Sequence, residues 1–128
     1  MMLVKAQSWE SVVKSCEARC EADQGFKPMV DLVRRLAASP RAGDLYPLTA
    51  TNTIILSRTP QFDMRREVLV VGYDPMREYF DLEFRWQPPG PSDGLKNGNW
   101  TGYCPPRKVY LVIAQFFRLQ GWFEEFPG

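Results

Sequence analysis

The sequence contains no histidine. That absence removes Ser-His-Asp and Cys-His catalysis, and every histidine-containing metal site. Cys, carboxylates, Lys, Tyr and Arg remain as possible actors. Cysteine is scarce: there are three, and an odd count argues against a secreted disulfide framework. An excess of one charge is missing as well. The chain has 16 basic and 15 acidic residues, a net charge of +1, and no segment departs far from neutral. No long-range field therefore draws the protein toward nucleic acid or anionic lipid. No run approaches the roughly 20 apolar residues of a membrane span. Met1-Met2-Leu3-Val4 leads at once into Lys5, so no apolar signal region forms. A reducing cytoplasm is the expected location. No internal repeat and no Walker-type Gly-Lys-Ser/Thr sequence is present.

What is there is a globular composition. The 128 residues are 45% hydrophobic and 13% aromatic. A chain of this size forms one domain and buries a core without metals or disulfides. Its clearest signal lies between Glu67 and Trp86. Val68 to Tyr73 is a short apolar run, and Asp74-Pro75-Met76-Arg77 is a turn. Tyr79 to Trp86 then alternates apolar and polar residues. That pattern predicts an antiparallel hairpin. Phe80, Leu82, Phe84 and Trp86 should face the core, with Tyr79, Asp81, Glu83 and Arg85 facing away. The preceding strand is apolar on both sides, with Val68 and Val70 opposite Leu69 and Val71. Its second face should therefore be covered by a helix, a loop or another subunit.

The rest of the chain is read around this hairpin. Ser8 is placed to cap a first helix running to about Asp23, with Trp9, Val12, Val13, Cys16 and Cys20 on one stripe. Gly25 is expected to end it. Pro28 suits the first turn of a second helix with Met29, Val30, Leu32, Val33 and Leu36 on its apolar side, and Ser39-Pro40 should stop it. Thr49 to Thr59 reads as one strand, Ile54 and Leu56 pointing one way and Ile55 the other. Residues 87–106 are punctuated by Pro and Gly and read as a long loop, functional or flexible. Val109 to Leu119 has strand-like composition at its start. Helical spacing of Val109, Val112, Ile113 and Phe116 between Pro106 and Gly121 favours a helix over 107–120. The expected fold is a single α+β domain over 1–128. It comprises two N-terminal helices, a three-stranded antiparallel meander, a long loop and a C-terminal helix.

No catalytic constellation and no cofactor motif emerges. Cys16 and Cys20 share a helical face, with Cys104 as a conceivable third ligand. Their place on the apolar stripe reads more simply as core. Asp81 and Glu83 share one strand face, as an acid–base pair would, yet read as a solvated edge. The candidate binding residues are Trp100, Tyr103 and Arg107. Trp, Tyr and Arg dominate binding hot spots, and here they fall in and beside a loop. The expected function is non-enzymatic. It is that of a small binding or adaptor protein acting through protein–protein contacts, its partner another protein or a second copy of itself. A small-ligand protein or enzyme using Tyr, Arg and carboxylates is the alternative. A nucleic-acid module, with bases stacked on a sheet bearing Tyr and Arg, comes third. Near-neutral charge and the acidic outward face of the third strand argue against it.

Overall fold

In a computed structural model, residues 3–50, 52–62, 67–85, 100–120 and 122 are described. A short strand β1 (Val4–Lys5) leads into helix α1 (Trp9–Ala22). The Ser8 hydroxyl caps α1 by accepting from the Ser11 N–H at 3.1 Å. The helix closes at Ala22. Gly25 lies beyond it in a single 3₁₀ turn, where the Asp23 carboxylate accepts from the Gly25 N–H at 3.0 Å. Helix α2 (Lys27–Ala37) follows with Pro28 in its first turn. Met29, Val30, Leu32, Val33 and Leu36 are all buried, as their spacing predicts.

The sheet is larger than the predicted three-stranded meander. Strands β2 (Tyr46–Ala50), β3 (Thr53–Ser57), β5 (Val68–Asp74), β6 (Tyr79–Arg85) and β7 (Trp100–Cys104) form one antiparallel sheet in that order. A further short strand, β4 (Gln61–Phe62), precedes β5 and pairs with β1 in a separate ribbon. Two expectations are corrected here. The single strand over Thr49–Thr59 is a hairpin, folded at Asn52 so that Ala50 pairs with Thr53. Its turn lacks Gly and Pro, and β-branched residues flank it, so propensity hid it. The loop over 87–106 gives way to a strand at Trp100–Cys104 and a helix from Pro106. Residues 87–99, like Trp86, lie outside the described residues.

Helix α3 (Pro106–Leu119) bears out the helical reading of the C-terminal stretch. All three helices pack on one face of the sheet. Val12 and Cys16 of α1, the apolar side of α2, and Ile113, Ala114, Phe116 and Phe117 of α3 join one core. Ile54, Leu56, Leu69, Val71, Phe80, Leu82 and Phe84 meet them from the sheet. Helix α1 lies over β2, α3 lies over β6 and β7, and α2 sits between the two. The Trp9 indole N–H is shared between the Ala42 and Leu45 carbonyls, at 3.0 and 2.9 Å, and fastens α1 to the start of β2.

The outer face is divided. At one end Ile55, Val68 and Phe62 form a second small core, with Ala6, Leu48 and Val70 against it. The β1–β4 ribbon supplies the cover, as the two-sided apolar character of β5 requires. At the other end, Gly72, Asp81 and Tyr103 lie side by side in register across β5, β6 and β7.

Candidate functional site at the open end of the sheet

The hairpin turn sets one wall of the site. Asp74 pairs with Tyr79 to close the hairpin, and the Asp74 carboxylate accepts from the N–H groups of Met76 and Arg77 at 2.9 and 3.3 Å. Such side-chain-to-backbone bonds are what fit Asp to a turn. The Glu78 N–H donates to the Asp74 carbonyl at 2.8 Å, with Glu78 at φ 58. The turn thereby holds Arg77 near Asp74, Nε to Oδ2 3.8 Å.

The floor comes from register. Asp81 stands between Gly72 on β5 and Tyr103 on β7. Gly72 offers no side chain, and the Asp81 carboxylate lies over it. A Cβ at position 72 would come within 2.6 Å of Asp81 Oδ1. The result is a hollow of about 410 Å³ lined by Asp74, Arg77, Tyr79, Asp81 and Tyr103. Tyr79 is 49% and Tyr103 78% exposed.

Its electrostatics follow from which charges are engaged. Arg77 is held by Asp74, and Arg85 by Glu83. Asp81 is exposed and makes no ion pair among the described residues. The hollow thus presents a carboxylate with no ion pair among the described residues, alongside two tyrosines. Carboxylates attract cations directly, and aromatic faces attract them through the ring quadrupole.

The three residues singled out from sequence do not converge. Trp100 lies on the helix-covered side of β7, stacked on Phe116 with ring centroids 5.7 Å apart and leaning over Gly102. Tyr103 lies on the opposite side, at the hollow. Arg107 stands in the first turn of α3, at a separate groove of about 260 Å³ between α2 and α3. There the Arg35 guanidinium stacks on the Tyr110 ring at 3.8 Å. Asp74, Arg77, Tyr79 and Asp81 complete the site without having been singled out as binding residues. Strand alternation had set Tyr79 and Asp81 on the outward face, but nothing local placed Tyr103 beside them.

The cysteines lie apart from this site. Burial pushes the Cys16 thiol up to about 11 and raises that of Cys104. All three are free thiols, and among the described residues no group of three His, Cys, Asp or Glu side chains could hold a metal ion. A groove of about 610 Å³ between α1 and α2 has its Arg34 already paired with Glu17. No helix among the described residues is long and apolar enough to cross a membrane. Set against known proteins, the chain matches no family model, no curated protein and no solved structure.

Proposed function

We propose that this is a non-enzymatic binding protein that acts through protein–protein contact, and that the hollow at Asp81 receives a Lys or Arg side chain of its partner. One observation carries this: an exposed carboxylate, without an ion pair among the described residues, shares the hollow with Tyr79 and Tyr103, while the nearby arginines lie against other acids. Tyrosine is among the residues that dominate binding hot spots. The sheet beneath fixes the backbone that carries both rings, so the ordering lost on docking is confined to side chains.

The test is site-specific cross-linking. A photoreactive phenylalanine analogue replaces Tyr103 in one variant and Lys14, on the exposed side of α1, in another. The expected result is a discrete adduct from position 103 alone, joined to a partner peptide that contains Lys or Arg. Asp81→Asn should cut its yield about fivefold, the worth of an interaction of about 1 kcal/mol. Equal adducts from both positions, or indifference to Asp81→Asn, would sink the proposal.

The hollow's volume favours a small-ligand alternative, since ligand pockets run from about 300 to 1,000 Å³. Such pockets are mostly apolar, whereas this one is rimmed by Asp, Arg and Tyr, which suits a charged side chain better. Thermal stabilisation by free amines at millimolar concentration, abolished by Asp81→Asn, would instead favour the small ligand.

A further inference from the structure

The five-stranded sheet has two edges, β2 and β7, and they are treated differently. The β2 edge is occupied. The Gln7 N–H donates to the Pro47 carbonyl at 2.8 Å. The Gln7 side-chain oxygen accepts from both the N–H and the hydroxyl of Thr49, each at 3.0 Å. Pro47 has no N–H to offer an incoming strand. Proline on an edge and cover by a neighbouring segment are both devices that prevent strand addition.

Among the described residues the β7 edge has neither. Its residues are Trp100-Thr101-Gly102-Tyr103-Cys104, with no proline and no charge. Among the described residues, none hydrogen-bonds to its free side. An unprotected edge is a template for another strand.

We propose that the occupant is a second copy of this chain, paired antiparallel through β7 about a twofold axis at Gly102. The register is self-consistent. Trp100 faces Cys104 of the other copy, Thr101 faces Tyr103, and Gly102 faces Gly102. Residues that face each other lie on the same side of the sheet in both copies, so the two helical layers fall on one face and the two hollows on the other. No like charges meet across the junction, whereas like charges directly opposite would repel. Tyr103, 78% exposed, gains Thr101 as a cross-strand neighbour, and Trp100, 39% exposed, gains Cys104. An antiparallel edge satisfies its own hydrogen-bond pattern under twofold rotation, and twofold dimers are the commonest assemblies. The inference stands on the sheet edges and not on the hollow, so the two proposals fail separately.

Sedimentation velocity of the full chain, from low to several hundred micromolar, reads the result. The wild-type mass should rise from one chain to two. The double variant Thr101→Lys, Tyr103→Lys sets lysine against lysine at both outward pairs and should stay at one chain. Both positions are exposed, and Glu83 and Asp81 oppose them on β6, so the variant keeps its fold by circular dichroism. A second measurement fixes the register. With Cys20→Ser as background, Thr101→Cys chains mixed with Tyr103→Cys chains should form a disulfide-linked dimer under mild oxidation, and neither alone should do so comparably. A wild type that remains one chain throughout overturns the proposal. So does a dimer that survives the double lysine variant, or equal cross-linking in mixed and unmixed samples.

Discussion

Gly72 shows how one missing side chain shapes a surface. Its neighbours in register are Thr53 and Asp81, and the Asp81 carboxylate occupies the room a Cβ would need. Gly72→Ala should therefore act on binding more than on folding. The clashing atom is the end of an exposed side chain that can swing aside, and loss of backbone freedom in the unfolded chain offsets part of the cost. Urea unfolding should place the change within about 1 kcal/mol of zero. The cross-linking yield from position 103 should fall as far as with Asp81→Asn. Cys16 yields a pH prediction. Burial is the main reason its thiol is raised from 9.0 to about 11, with Glu17 adding and Arg19 opposing. The folded state thus holds its proton where the unfolded chain has lost it. Stability is fully present below pH 9 and falls as pH rises toward about 11, by roughly 2 to 3 kcal/mol across that window. Tyr73 and Tyr110, both raised chiefly by burial, push the same way. Urea midpoints measured on both sides of this window, in wild type and Cys16→Ala, separate the cysteine's share.

At the level of elements, the Gln7 contact invites a direct measurement. Gln7→Ala removes the acceptor for the Thr49 N–H and hydroxyl, in a part-buried place. Each such bond is worth about 0.5 to 1.5 kcal/mol net, so the loss should be about 1 to 3 kcal/mol by chemical denaturation. Amide exchange should quicken at Thr49 while the β6 amides keep their protection. Elements defined by local periodicity were legible before any coordinates. The Ser8 cap, the apolar stripes of α1 and α2, and the β5–β6 hairpin with its alternating faces all follow from spacing within a few residues. The C-terminal helix was decided by spacing, by the prolines before it and by Gly121 after it, against a strand-like start at Val109-Tyr110-Leu111-Val112-Ile113. Two elements were not legible. The fold at Asn52 carries no Gly or Pro, and β7 hides among glycines and prolines that read as loop. The candidate site suffered most from the second. Tyr79 and Asp81 were correctly set outward, and Tyr103, singled out for a different grouping, lines the hollow with them. What joins them is the β6–β7 register, and pairing between strands far apart in sequence leaves no local signature. The same lack of register is why Trp100 and Arg107 were grouped with Tyr103, although strand alternation sends Trp100 to the other face and helix α3 carries Arg107 away.

For the whole molecule, charge and architecture point in one direction. A net charge of +1 offers little long-range steering, so recognition must rest on short-range fit at particular residues. Three helices on one face of the sheet leave the other for the β1–β4 ribbon and the hollow. The ribbon seals the apolar half, and among the described residues nothing covers the polar half. If two copies join through β7, the hollows come to lie on one continuous surface. A partner with two suitably spaced cations could then span both, with a gain in avidity set by that spacing and not by any new contact. The Gln7 contact on β2 has a further meaning at this scale. Strand addition is a growth process, and each molecule's valence is the number of edges it leaves free. A molecule with two free edges is the repeat unit of a fibre without end. With β2 spoken for, the five-stranded sheet keeps one free edge among the described residues, and growth through that sheet stops after a single step. In the proposed pairing Gln7 is therefore a terminator, and through it a few residues ahead of the first helix would decide that assembly ends as a pair and not as a filament.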